Sequence, residues 1–104
     1  MRGTLEGCIL KIISLKVTYG YEIIENLNRH GFKDIKEGTL YPLLVRLNNK
    51  GLITFETRPS SLGPKRKYYD ITSEGLNMLQ SFEESFREIY GNVLNIMEEE
   101  KHEE

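Results

Sequence analysis

Cysteine occurs once in the 104-residue chain, at Cys8, and histidine only twice, at His30 and His102. A lone cysteine forms no internal disulfide, which fits a reducing, cytoplasmic setting. One histidine falls at an expected helix end and the other in an acidic tail. Neither a metal cluster nor a Ser-His-Asp set can be assembled from them. The segment Gly63-Pro64-Lys65 has no further glycine at phosphate-loop spacing and no Ser or Thr after the lysine, so nucleotide hydrolysis is unsupported. No enzyme activity, metal or cofactor is therefore expected. No apolar run approaches the roughly 20 residues of a membrane-spanning helix. The opening Met1-Arg2-Gly3-Thr4-Leu5-Glu6 lacks the apolar core and small-residue cleavage site of a secretory signal, so no membrane partner is expected.

Hydrophobic residues make up 38% of the chain and charged residues 29%, compatible with one soluble domain whose modest core leaves room for a partner chain. The net charge of −2 hides an asymmetry. Residues 1–75 carry 12 Lys/Arg against 8 Asp/Glu, and residues 76–104 carry 2 against 8. A mildly basic body with an acidic tail is allowed for a nucleic-acid binder, and the placement of the cations matters more than their total.

The stretch Gly38-Thr39-Leu40-Tyr41-Pro42-Leu43-Leu44-Val45-Arg46-Leu47-Asn48-Asn49-Lys50-Gly51 organises the rest. Leu40, Leu43, Leu44 and Leu47 recur at helical spacing and form a core-facing stripe. Tyr41, Pro42, Val45, Arg46 and Asn49 occupy the other face, where an aromatic, a guanidinium and an amide are groups able to read base edges and phosphates. An ordinary surface helix would show a similar pattern. Gly51 suits a left-handed helix stop.

Upstream, Leu5, Cys8, Ile9, Ile12 and Ile13 mark a first helix of about three turns, broadened by Leu10 and Leu15. Cys8 reads as a small buried filler rather than a redox sensor. Thr18 is a candidate cap for a second helix with Ile23, Ile24 and Leu27 on its buried stripe, ended by Gly31. The short linker 32–36 to the third helix makes a helix-turn-helix. Pro42 is expected early in that helix, where a missing amide is tolerable.

After Gly51 the period becomes alternating. Ile53 and Phe55, then Tyr69 and Ile71, predict two strands of a hairpin. Between them Arg58-Pro59-Ser60-Ser61-Leu62-Gly63-Pro64 reads as a loop, with Lys65, Arg66 and Lys67 as its basic tip. Such a tip after a helix-turn-helix looks like a wing that lies on phosphates or enters a minor groove. Thr72 is a good N-cap for a last helix running to about Met97. Leu79, Phe82, Phe86, Ile89, Val93 and Ile96 form a heptad seam, widened by Leu76, Tyr90, Leu94 and Met97. About 25 residues span roughly 37 Å, more than a body of about seventy residues can cover, so a second copy is expected on the seam. Gly91 interrupts the helix and suits a bend or the close approach of a neighbour. The acidic end, Glu98 to Glu104, is expected to point away from nucleic acid.

The fold class is thus mainly α with a small β-hairpin. Residues 1–72 form a winged helix-turn-helix, and 73–104 a dimerisation helix with an acidic tail. A winged-helix module that binds another protein is the alternative, distinguished by a flat salt dependence of duplex binding.

Four collinear runs carry a family resemblance: Tyr19-Gly20-Tyr21-Glu22-Ile23, Gly38 to Leu47, Gly51-Leu52-Ile53, and Gly63 to Gly75. Together, over residues 3–97, the chain resembles the PadR family of bacterial transcriptional regulators. The resemblance implies a homodimeric repressor of genes, often its own and those for detoxification or drug efflux, with one carboxy-terminal helix packed against the partner's amino-terminal helix. Leu5 and Ile9 would then join Leu79, Phe82, Phe86, Ile89, Val93 and Ile96 at the dimer interface. Carried over by position, Tyr41, Pro42 and Arg46 would enter the major groove of a double-stranded operator, with Asn49 on the same face. Thr39 and Tyr21 would lie near the backbone, and Lys65, Arg66 and Lys67 would serve the wing. Tyr68 and Tyr69 are expected to pack the hairpin. Some members bind flat aromatic drugs between tryptophans; this chain has none, and Phe82, Phe86 and Tyr90 are the candidates to line a related cavity for an aromatic or hydrophobic effector.

Overall fold

The computed structural model describes residues 3–61 and 63–102. Met1, Arg2, Leu62, Glu103 and Glu104, which enter the readings of the opening segment, the loop and the tail, lie outside the described residues. The order is α1 (Thr4–Leu15), β1 (Thr18–Tyr19), α2 (Gly20–Arg29), α3 (Glu37–Asn49), β2 (Ile53–Ser60), β3 (Gly63–Ile71) and α4 (Ser73–Met97).

The periodicities in the sequence decide what is buried. Ile9, Leu10 and Ile13 of α1, Ile23 and Leu27 of α2, and Leu40, Leu44 and Leu47 of α3 converge on one core. Leu52, Ile53 and Tyr69 close it from the sheet side. Gly51, at φ 74°, ends the third helix in the left-handed region, and the Leu52 amide donates back to the Leu47 carbonyl at 3.0 Å. Pro42 is the sixth residue of α3 rather than one of its first turn. It therefore offers no amide to the Gly38 carbonyl, and both residues lie on the exposed face, where water can serve instead.

The sheet has three antiparallel strands in the order β1-β3-β2, one more than the expected hairpin. Thr18 pairs with Tyr69 and Tyr19 with Tyr68. Thr18 is consequently a strand residue and caps nothing; its buried hydroxyl donates to Glu22 Oε1 at 2.9 Å. A two-residue strand has no period to display, so alternation could not reveal it.

The expected loop at 58–64 is also mostly strand. Pairing continues through Thr57–Lys67, Arg58–Arg66 and Ser60–Gly63, with an irregularity at Pro59. Lys65, Arg66 and Lys67 lie within β3 and not at the tip of the wing. Turn-type residues misled the reading because an edge strand tolerates Pro59 where a central strand does not.

Thr72 begins α4 as expected. Its Oγ1 accepts from the Gly75 amide at 3.0 Å and donates to the Gly51 carbonyl at 2.7 Å. Gly75 lies so close to the Leu52 carbonyl that an added Cβ would come within 2.0 Å of that oxygen. Leu79 packs against the core, and the Phe82 ring lies on Gly7 of α1. Beyond that point α4 leaves its own body. Phe86, Ile89, Tyr90, Val93, Ile96 and Met97 are all exposed, the last at 72%. The radius of gyration is 17.2 Å, against about 13 Å for a compact domain of roughly this size, and the long axis reaches 69 Å.

Thr72→Ala removes the cap and is expected to cost about 1 kcal/mol in urea unfolding. Gly75→Ala meets backbone rather than a movable side chain, and its cost is expected at about 2 kcal/mol or more.

Candidate nucleic-acid interface

Helix α2, joined to α3 by a short turn, supports it on its leucine face and leaves Thr39, Pro42, Val45 and Asn49 exposed. Beside α3, the strand β3 runs on past the end of β1, because the chain turns at Gly20 into α2. A groove of about 390 Å³ opens there, with Tyr21, Tyr41, Lys65, Arg66 and Lys67 on its walls. Five of the nine residues expected at a duplex thus meet in one place. Glu37, in the first turn of α3, adds a carboxylate to the same groove.

Gly20 makes this arrangement possible. A Cβ at that position would stand 2.6 Å from the Tyr41 hydroxyl, so the phenol reaches across α2 only over a glycine. Tyr41 is nevertheless 41% exposed, and Tyr21 is more so. Behind them, Tyr69 fills the core. Burial, and secondarily the neighbouring Tyr41, push its phenol above the ordinary value of 10.0.

Three other expected residues, Thr39, Pro42 and Asn49, stand on the exposed face of α3 outside the groove lining. Arg46 is turned elsewhere. Its Nη1 donates to Glu6 Oε1 of α1 at 2.6 Å, with Glu6 four-fifths covered and the arginine half-exposed. Helical spacing alone could not show this bond, because its partner is forty residues away.

Ile9, implied at a dimer interface by the resemblance, has no exposed surface and belongs to the core of its own chain. Leu5 and Leu79 are half-buried against that core. Phe82, Phe86 and Tyr90 do line up: ring centroids lie 5.9 and 6.0 Å apart along α4, the second pair stacked within 11°. Cys8 packs against the core, and burial raises its thiol above the usual range, which keeps it protonated and a poor nucleophile.

The sequence alone did not bring Tyr19 and Arg58 together with Tyr68, against which both pack. The Arg66 guanidinium lies 4.3 Å over the Tyr19 ring and that of Arg58 lies 4.7 Å over Tyr68. Lys67 Nζ similarly covers Phe55 at 4.6 Å. Reading 58–64 as a loop hid the pairing of Arg58 with Arg66, and β1, with two residues, is too short to show a period. Among the described residues no cluster of His, Cys, Asp and Glu could hold a metal ion.

The family model of the transcriptional regulator PadR-like family matches residues 9–81. A PadR-like transcriptional regulator from Bacillus cereus is 48% identical, with 95% of this chain and 96% of that chain covered and a TM-score of 0.85. A PadR family transcription regulator from Clostridium difficile is 33% identical, over 91% of this chain and 99% of that one, with a TM-score of 0.80. A transcriptional regulator of Mycobacterium tuberculosis is 36% identical over 77 residues, 70% of either chain.

Because Tyr69 holds its proton more tightly when folded, its contribution to stability is complete below pH 10.0 and lost as pH rises through its folded value. Urea titrations at rising alkaline pH are expected to show that loss in the native chain and less of it in Tyr69→Phe.

Proposed function

The chain belongs to the PadR-like family of transcriptional regulators, and on that premise we propose that it is a homodimeric, sequence-specific DNA-binding repressor relieved by a small-molecule effector. The carrying observation is the groove in which Tyr21, Tyr41, Lys65, Arg66 and Lys67 meet beside the exposed face of α3. Tyr41 and Pro42 enter a major groove, with Asn49 on the same face, while Thr39, Tyr21 and the wing cations lie along the backbone. Cations supply most of the affinity, and specificity comes from a few α3 side chains and the local shape of the duplex.

The exposed half of α4 supports the dimer. An apolar stripe from Phe86 to Met97 is more than a monomer of this size ordinarily leaves in water. A second copy covers it along a two-fold axis, with Leu79, Phe82, Phe86, Ile89, Val93 and Ile96 on the seam and Leu5 at its margin. Paired α3 helices then meet successive major grooves about 34 Å apart. Among the described residues no helix is long and apolar enough to cross a membrane, and a cytoplasmic location goes with this reading.

An aromatic or hydrophobic effector would stack against Phe82, Phe86 and Tyr90. Phe82 rests on Gly7, next to Glu6, whose carboxylate holds Arg46 of α3. Pressure on that ring therefore reaches the DNA-facing helix through α1. Induction needs an effector that prefers a dimer geometry with the wrong half-site spacing.

Arg46 has two competing roles, because it reads a guanine only by leaving Glu6. Glu6→Gln frees it and is expected to tighten binding to the preferred site severalfold, at a stability cost under about 1 kcal/mol. Arg46→Ala then costs about 1–3 kcal/mol at one operator position; equal losses on specific and random duplex make it a strut between α1 and α3 instead.

The deciding experiment is selection of bound duplexes from a random pool, followed by salt titration of the winner. A dimer touching about six phosphates is expected to lose roughly a thousandfold in affinity between 50 and 200 mM salt. Flat dependence returns the protein to the class of protein-binding modules. Sedimentation at micromolar concentration is expected to give a dimer, and Val93→Asp a monomer. Phe86→Ala is expected to weaken any confirmed effector; unchanged affinity removes the ring row from its site.

A further inference from the structure

The outer face of the sheet carries a row of groups that begins at the groove and leaves it. Arg66 and Tyr68 alternate along β3 with Lys65 and Lys67, so they share the face turned away from the core. Register places Arg58 of β2 opposite Arg66, and Tyr19 of β1 opposite Tyr68. In that row Arg66 covers Tyr19, the Tyr19 and Tyr68 rings meet edge to face at 5.5 Å, and Arg58 covers Tyr68.

Two like charges directly opposite each other weaken a strand pair. Here the two guanidiniums are drawn apart onto different rings. Glu56 Oε2 lies 3.5 Å from Arg58 Nη2, with the arginine about half exposed and the glutamate more so, which is a weak and easily screened contact. A guanidinium held over an aromatic ring is attracted to it through its charge and still has N–H groups to offer phosphate oxygens. It also loses less freedom on binding than a wandering side chain. The row is continuous with the groove, since Arg66 and Tyr19 line both.

We propose that this outer face is a second DNA-contacting surface, on which Arg66 and Arg58 hold backbone phosphates of the duplex flanking the half-site. Tyr19 and Tyr68 are the positioning residues that aim them. The inference rests on the DNA-binding reading and extends it beyond the groove to Arg58, which is neither in the helix-turn-helix nor among the three consecutive wing cations. Continuity with the groove, and the excess of cations across residues 56–67 of the hairpin (Arg58, Lys65, Arg66 and Lys67 against Glu56), favour a nucleic-acid backbone over an acidic protein as the occupant.

The test titrates the full chain and its variants into the selected operator and into random duplex between 50 and 200 mM salt. Arg58→Ala is expected to weaken both duplexes by the same factor and to lower the slope of log K against log salt by about one per bound wing. Tyr68→Leu retains the charge, so the slope is expected to hold while affinity falls a few-fold at every salt concentration, and Tyr68→Phe restores it. The double variant of Arg58→Ala and Tyr68→Leu is expected to bind no worse than Arg58→Ala alone. Melting curves confirm that each variant is folded; Arg58 makes no core contact, so its variant stands even where a tyrosine variant does not fold. An unchanged slope for Arg58→Ala, beside a salt-dependent native chain, overturns the inference and leaves the face to another partner. Equal losses for Tyr68→Leu and Tyr68→Phe overturn the positioning role. Absence of salt-dependent binding by the native chain overturns both this and the DNA-binding reading.

Discussion

The burial of one side of α3 is the constraint from which the other arrangements follow. Leu40, Leu44 and Leu47 are almost wholly removed from water against α1 and α2, a contribution of about 1.5–3 kcal/mol for each side chain. That contact fixes the rotation of the helix about its axis. Once the leucines point inward, Thr39, Pro42, Val45 and Asn49 have to face out, and Tyr41 is carried over Gly20 towards the wing. The exposed face needs little stabilisation of its own, being the complement of a well-packed one.

A second seam ties the wing to the rod. Thr72 bonds both the Gly51 carbonyl and the Gly75 amide, and Gly75 lets α4 pass directly against Leu52. The end of α3, the base of β2 and the start of α4 therefore share one short hydrogen-bonded corner. Downstream, the Phe82 ring on Gly7 sets the rod against α1. With two fixed points near its beginning, the direction of α4 is defined relative to α3, although its far half touches little of its own chain.

The helices were legible because each has an apolar repeat, the Leu40–Leu47 stripe above all, and because Gly51 after α3 and Thr72 before α4 are a recognisable stop and cap. The wing was only half legible. Ile53, Tyr69 and Ile71 alternate with a core behind them, whereas the outer parts of β2 and β3 have water on both sides and show no apolar period. Strand β1 is too short to carry a pattern. At the candidate site, residue type pointed to Tyr41 and the wing cations, and the resemblance added Tyr21. Where a side chain such as Arg46 spends its charge depends on Glu6, forty positions away, and no local rule reports that.

The irregularity at Pro59 bears on how such a chain survives at high concentration. Strand β2 is one of the two edge strands, so among the described residues one row of its backbone donors and acceptors has no neighbouring strand. Proline removes one of those donors, the break in register twists the ribbon away from flatness, and Glu56 and Arg58 add charge alongside. A flat, uncharged border would invite a neighbouring molecule to extend the sheet and begin aggregation. The same stretch that looked like a loop is thereby a guard against fibre growth.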